Sequence, residues 1–314
     1  MRTSNFRRGF IRSLAALVAA ASVATASSAI AVTPETNKFF GTFENRGNCG
    51  VSILGSRVGH QPNMCQVFAS WYGQRSFPTN IAVAAHERGV SFMVTWQPWN
   101  SRKGKAPQKA FALNYIAKGK YDAYIGLWAK QIKLFKYPVY IRFAHEMNGP
   151  WYPWGASDAK KSAKLYVAAW RHVHDIFVQA GATNAMWVWA PNAVKSGSQL
   201  PLKPFYPGDA YVDYVGPVGY ARHNGDTFKK VFAATFAQIS KFTAKPAFVS
   251  ETGVLNAVKK PEQFVSSFFA EVKARKINGF VWFNSTLRRS PWNLNSKKAL
   301  SKFKTGLASW LTAP

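Results

Sequence analysis

Apolar residues along the chain fall into two kinds of run. Short runs rich in β-branched and aromatic residues read as buried strands. They are Lys38–Phe43, Gln66–Trp71, Val90–Trp96, Val139–Ala144, Ala185–Ala190, Tyr214–Val218, Ala247–Ser250 and Gly279–Phe283. Between them, apolar residues recur at the spacing of one helix face in Asn80–Arg88, Tyr121–Lys136, Asp158–Ala180, Thr227–Phe242, Pro261–Lys276 and Ser296–Leu311. In the longest of these, Ser157 supplies an N-cap and Gly181 a left-handed stop. Strands alternating with helices in this way predict an α/β fold, a single (β/α)8 TIM barrel. No repeat, linker or composition break follows Ala31.

The polar pattern then marks one face of that barrel. Buried parallel strands are apolar throughout, so polar residues at their C-terminal ends have left the core, and that end of a barrel is where active sites sit. The ends read Thr95-Trp96-Gln97-Pro98-Trp99, His145-Glu146, Trp189-Ala190-Pro191-Asn192, Gly219-Tyr220, Ser250-Glu251-Thr252-Gly253 and Trp282-Phe283-Asn284. Trp187 and Trp189 alternate on one strand, with Trp189 the nearer to the cleft. Two further tryptophans, Trp151 and Trp154, follow Glu146 in a loop rich in Gly and Pro. Flat aromatic faces beside an acid fit the apolar faces of sugar rings.

The N-terminus changes the setting. Arg2, Arg7, Arg8 and Arg12 precede an apolar stretch from Leu14 to Ala26 and the small residues Ala29-Ile30-Ala31. This is the pattern of a secretory signal peptide over 1–31, leaving a catalytic domain over 32–314. Cleavage is expected after Ala31, with Ala24-Thr25-Ala26 as the second candidate. Arg7-Arg8-Gly9-Phe10-Ile11-Arg12 also resembles a twin-arginine export signal. The expected location is therefore secreted or periplasmic, as a monomer, with no stable insertion in a membrane. In that compartment the only cysteines, Cys49 and Cys65, are expected to form a disulfide.

The chain carries 41 Lys and Arg against 13 Asp and Glu, a formal charge of +28, and the first 31 residues hold four of the arginines. The +24 that remains draws a protein toward anionic surfaces. The basic residues form no dense run, which argues against nucleic acid and leaves an anionic cell wall or glycan as electrostatic partner. No His, Asp and Glu cluster has metal-ligand spacing, and there is no phosphate loop or dinucleotide fingerprint, so neither metal nor cofactor is expected.

So few acids permit elimination. Asp158, Asp175, Glu262 and Glu271 fall in helices, Glu87 at the opposite end of the barrel, and Asp209, Asp213 and Asp226 in turns or caps. Glu146 and Glu251 alone close strands on the catalytic face, with Glu44 a distant third. Two carboxylates across a barrel mouth are what glycoside hydrolysis requires. Strands four and seven are nearly opposite in a ring of eight, so both acids can reach one cleft. Arg142, inside the barrel, is placed to prop them.

The run Arg142-Phe143-Ala144-His145-Glu146-Met147-Asn148-Gly149-Pro150-Trp151-Tyr152-Pro153-Trp154-Gly155 resembles the acid/base region of glycoside hydrolase family 26, mainly secreted β-mannanases with lichenases and some xylanases. The resemblance extends over most of 66–300, including Tyr206-Pro207-Gly208-Asp209. It implies Glu146 as general acid/base, Glu251 as nucleophile, and Tyr220 hydrogen-bonded to that nucleophile. Substrate-binding residues would be His145, Trp96, Trp99, Trp151, Trp154, Asn192, Tyr220 and Trp282, with Trp151 and Trp282 shaping the subsite at the cleaved bond. One departure stands out. Ala221-Arg222-His223 follows Tyr220 where many relatives carry a small polar residue.

The expected activity is that of a retaining endo-β-glycanase on β-1,4-linked polysaccharide, β-mannan first. Mixed-linkage β-glucan or an acidic exopolysaccharide are the alternative substrates, and a non-catalytic polysaccharide-binding barrel is the alternative outside enzymes. Opposed short acids at strand ends are expected roughly 5–5.5 Å apart, the spacing of retaining enzymes.

Overall fold

Every strand of the sheet runs parallel to its neighbours. In chain order they are β1 (Phe39–Phe43), β2 (Met64–Ser70), β3 (Ser91–Gln97), β4 (Val139–Phe143), β5 (Ala185–Trp189), β6 (Tyr214–Val215), β7 (Val218–Ala221), β8 (Val249–Val254) and β9 (Gly279–Phe283). The computed structural model describes residues 38–44, 49, 52–105, 107–155, 159–194, 200–285 and 291–313. The expected signal peptide and the Ser157 cap lie outside them. The chain divides into Met1–Glu35 and a compact unit, Thr36–Pro314, which carries all the described residues.

The sheet order is β6-β5-β4-β3-β2-β1-β9-β8-β7. Its two ends are one interrupted strand. Val188 and Trp189 of β5 pair with Tyr214 and Val215 of β6, and Asn192 bridges Val218 of β7 at the same offset. On the other side Val215 bridges Ala247, and β7 pairs with β8. The interruption is Gly216-Pro217. Pro217 has no N–H to give the ladder, and a Cβ on Gly216 would stand 2.7 Å from Val188 Cγ1 and 2.9 Å from Ser250 Cβ. With β6 and β7 counted as one, the ring closes as the expected eight-stranded (β/α)8 barrel.

Phe39, Met64, Met93, Tyr140, Met186, Val188, Tyr214, Phe248 and Val281 fill the barrel floor. Phe39 stands at its centre, with ring centroids 5.3 Å from Tyr140 and 6.3 Å from Phe248. The outer layer holds α1 (Ile53–Val58), α2 (Thr79–His86), α3 (Leu113–Ala117), α4 (Asp122–Phe135), α5 (Ala159–Ala180), α6 (Phe228–Ile239), α7 (Pro261–Ala274) and α8 (Lys297–Leu311). The two short helices, α1 and α3, were not expected from the sequence, because neither is long enough to display a helical period. No described helix is long and apolar enough to cross a membrane.

Two shifts relative to the sequence reading matter for the site. The sixth barrel strand runs on to Ala221, so Tyr220 lies within it rather than beyond its end. The seventh is Val249–Val254, so Glu251 is inside a strand too. The expected disulfide is formed: Cys49 and Cys65 are bonded with their Cα atoms 5.1 Å apart. It ties the chain after β1 to β2.

Candidate active site

The chain leaves β4 through an unusual backbone. Ala144 (φ 42°) and Glu146 (φ 55°) are both left-handed without being glycine. Each such residue costs of order 1–3 kcal/mol and persists only where its surroundings over-determine it. Here they do. Ala144 N–H donates to Trp96 O at 3.0 Å, and Glu146 N–H donates to Ala190 O at 2.7 Å. Trp154 Nε1 donates to His145 O at 2.8 Å. Alternating left-handed residues turn the chain away from the strand direction and aim the Glu146 side chain across the mouth.

Two donors hold the Glu146 carboxylate. Trp151 Nε1 reaches Oε2 at 2.6 Å, and Asn192 Nδ2 reaches Oε1 at 2.7 Å. Gly149 permits the first contact, since a Cβ there would lie 2.1 Å from the Trp151 ring. Asn148 secures the second by clasping the Asn192 backbone, donating to its O and accepting from its N–H, both at 2.8 Å. Sequence reasoning passed over Asn148, although it sits in the same run as Glu146.

Glu251 is held differently. Arg142 Nη2 donates to Oε2, and the Tyr220 hydroxyl donates to Oε1. Gln66 Nε2 adds a contact to Oε2 at 3.2 Å. Arg142 is fully buried, and its fork is filled by Thr95 Oγ1 at 2.9 Å and Ser250 Oγ at 3.2 Å. A regular strand points alternate residues to opposite faces, yet both Ser250 and Glu251 meet Arg142 inside the barrel. The register slip of β8 against β9 between Val249 and Thr252 makes this possible, and re-aiming a side chain is a usual role for such irregularities beside active sites.

The two carboxylates therefore differ electrostatically. Burial raises the pKa of Glu146, and the nearby Glu251 charge raises it further, against the opposing pull of Trp151, Asn192 and Arg142. Glu251 has the direct guanidinium contact that Glu146 lacks. Tyr220 is pushed well above its ordinary value by burial and by Glu251, so its hydroxyl keeps its proton and donates. His145 is held well below its ordinary value by burial, then by Arg142 and Lys105, and is neutral. Paired acids in environments that separate their pKa values are the usual basis for acid and base roles.

The structure redistributes the expected aromatic lining. Trp96 and Trp282 are fully buried on the outer face of the barrel, not in the cleft. Trp96 packs 4.6 Å from Trp128 and donates to Tyr124 Oη, while Trp282 lies 4.9 Å from Phe303 and 5.8 Å from Phe268. Trp189 is likewise in the outer layer, donating to Phe205 O. The reason is parity. Thr95 and Val281 face inward, so their neighbours Trp96 and Trp282 face out. Trp99 and Trp154 are nearly buried and act as backing: Trp154 stacks on Tyr152 at 4.5 Å, and Trp99 meets it edge-on at 5.5 Å. Partly exposed rings at the mouth are Phe43, Phe68, Trp151, Tyr152, Tyr220, Phe283 and Trp292. Phe43 contacts both Phe68 and Phe283 at 4.9 Å, and Trp292 lies 4.7 Å from Tyr220. Counting in twos along β1, β2 and β9 from Phe39, Met64 and Val281 would have found Phe43, Phe68 and Phe283.

Glu44 is occupied elsewhere. Its oxygens accept from Ser52 Oγ, Ile53 N, Leu54 N and Asn284 Nδ2 at 2.8–3.0 Å, capping α1 and fastening it to the end of β9. Among the described residues no group of three His, Cys, Asp or Glu could hold a metal ion.

The sequence pattern described as "Glycosyl hydrolase family 26" matches residues 102–298. Endoglucanase H of Acetivibrio thermocellus is 27% identical over 302 residues, 87% of this chain and 32% of that protein. A mannan endo-1,4-beta-mannosidase of Bacillus subtilis is 29% identical over 136 residues, 39% of this chain and 36% of that protein. This chain thus spans about a third of the length of these relatives. In fold it is similar to the Cellulomonas fimi endo-beta-1,4-mannanase double mutant, with a TM-score of 0.66 and 18% identity over 88% of this chain and 71% of that one.

Proposed function

This chain belongs to glycosyl hydrolase family 26, and from that premise we propose that it is a retaining endo-β-glycanase cleaving β-1,4-linked polysaccharide, β-mannan first. The observation that carries the reading is the asymmetry of the two buried acids. Glu251 accepts from a guanidinium and a phenol on its two oxygens, which fix its direction of attack. Glu146 has neutral donors only and a raised pKa, which suits an acid that must carry a proton into the reaction.

In this mechanism Glu251 attacks the anomeric carbon while Glu146 protonates the departing oxygen. The resulting glycosyl ester at Glu251 is then hydrolysed by a water that Glu146 deprotonates. As the ester forms, Glu251 loses its charge. The electrostatic push on Glu146 is relieved, which favours the ionised form needed for the second step. Tyr220 follows the Glu251 oxygen that remains outside the new bond. His145, neutral and buried beside Glu146, is available to hydrogen-bond a sugar hydroxyl without competing for the proton.

Mannan takes precedence because a mannan endo-1,4-beta-mannosidase is among the relatives; an endoglucanase among them makes mixed-linkage β-glucan the second reading. Export through residues 1–31 and action as a monomer complete the proposal. Purified protein is tested on galactomannan, glucomannan, mixed-linkage glucan and xylan. Oligosaccharides of medium length should appear before monosaccharide, fastest from a mannan. Release of only mono- or disaccharide from the outset would sink the endo reading, and no turnover of any mannan would sink the substrate.

A further inference from the structure

Arg222 stands where it could meet the substrate and has no acid of its own. It follows β7 directly, two residues after Tyr220, and is exposed. Its guanidinium carbon lies 5.4 Å from the Tyr220 ring centroid and 5.1 Å from that of Trp292. The same Tyr220 donates its hydroxyl to Glu251, so the cation is one side chain removed from the attacking carboxylate. Asp226, four residues on, uses its Oδ2 to accept the backbone N–H groups of Arg222 and His223. Among the described residues, ion pairs engage Arg142, His172, His174, Lys229 and Arg275, and not Arg222. A guanidinium that stacks on rings keeps its in-plane N–H groups for another partner, and their fork matches a carboxylate.

The other flank of the mouth repeats the motif. Lys105 lies 5.2 Å over Tyr152, and Arg75 and Arg102 lie 6.0 and 5.9 Å over Tyr72. Tyr72 belongs to this face, because its N–H donates to Trp99 O. The carboxylates at the mouth, Glu44, Glu146 and Glu251, are all occupied by donors described above. Arg75, Arg102 and Arg222 lie over rings on both sides of the cleft and enter no ion pair among the described residues, and cations so placed create a field that favours an anionic chain. A neutral mannan would leave it unused.

We propose that the cleft takes a glycan bearing carboxylate groups, and that Arg222, seated on Tyr220 and Trp292, is the residue that binds the carboxylate of the sugar beside Glu251. This deepens the glycanase reading and rests on it for the site, though not for the identity of the backbone sugar.

The test compares two polymers of one backbone: galactomannan carrying carboxymethyl groups and galactomannan carrying hydroxyethyl groups at the same degree of substitution. The wild-type protein should favour the carboxymethyl polymer in kcat/KM. Arg222→Ala should lower that ratio by about tenfold or more, the usual worth of a charge-assisted hydrogen bond, and Arg222→Lys should restore part of it. Lys302→Ala, on the exposed face of α8, removes the same charge and should leave the ratio unchanged. A wild-type ratio of one or less, or a ratio that Arg222→Ala leaves alone, overturns the proposal. So does an equal fall with Lys302→Ala, which would reduce the effect to net charge.

A second arm does not depend on turnover. Binding of β-1,4-linked oligomannuronate to the Glu251→Ala protein should weaken about tenfold on adding Arg222→Ala; equal binding by both proteins overturns the proposal. If neither galactomannan derivative is cleaved, the mannan reading has failed while this arm still decides the role of Arg222.

Discussion

Removing one donor from Glu146 should move the pH dependence of the enzyme upward. The carboxylate accepts from Trp151 on one oxygen and from Asn192 on the other. Once protonated, the carboxyl carries its hydrogen on one of those oxygens, so one donor must face an O–H in place of a lone pair. Both contacts therefore favour the ionised form and restrain a pKa that burial and Glu251 push up. A hydrogen bond to a charged group contributes about 1.5–3 kcal/mol, and one pKa unit corresponds to about 1.36 kcal/mol. Asn192→Ala should accordingly raise the pKa of Glu146 by about one to two units, with the lower figure applying if water replaces the amide. Trp151→Phe should act in the same direction while keeping a ring over the carboxylate. The assay is the pH profile of kcat/KM, whose alkaline limb reports the acid of the free enzyme. Asn148→Ala, which frees the Asn192 backbone, should give a smaller shift of the same sign. An alkaline limb that stays in place, or moves to lower pH, in both Asn192→Ala and Trp151→Phe would refute the reasoning.

Glu146→Gln should stabilise the fold while abolishing turnover of natural glycan. The folded protein binds this proton more tightly than the unfolded chain, so the linked stability is present below about pH 4 and is lost as pH rises through the raised value; the Tm gain of the variant should be absent at low pH and grow toward neutrality, and a constant offset would contradict this. Trp282→Ala should cost about 3–5 kcal/mol of stability by opening the outer core, whereas Phe283→Ala, one residue on, should raise KM with a far smaller change in Tm; equal thermal losses would contradict the assignment of faces. Cys49→Ser should lower stability by about 3 kcal/mol, the chain-entropy value for a loop of this size, and intact-mass analysis of the exported protein should begin at Val32 and show two hydrogens fewer than the reduced form.

The barrel was legible because its signals are local. Apolar runs punctuated by helical periods need no long-range information, and all eight predicted strands overlap observed ones within a few residues at either end. Glu146 and Glu251 stood out for a compositional reason: a chain with so few acids leaves few candidates at strand ends. The aromatic cleft was misread because period-two parity cannot be anchored without knowing one inward residue on each strand. Trp282 drew attention by its size, while Phe283, the neighbour that faces the mouth, looked like more core. Gln66 was invisible for a different reason. Its contact with Glu251 spans 185 residues, and nothing near it in sequence marks it. The slip in β8 that turns Ser250 and Glu251 toward the same arginine is a property of pairing with β9, which no local pattern encodes.

The most direct test of the account is to trap the covalent intermediate. The 2-deoxy-2-fluoro β-glycosyl fluoride of the sugar released from the best polysaccharide should inactivate the enzyme by forming an ester that turns over slowly. Peptide mass mapping should find that single label on Glu251, with Glu146→Ala still labelled, since fluoride needs little help to leave. Label on Glu146, or on no residue while the first product of polysaccharide cleavage appears as the α-anomer, would contradict it.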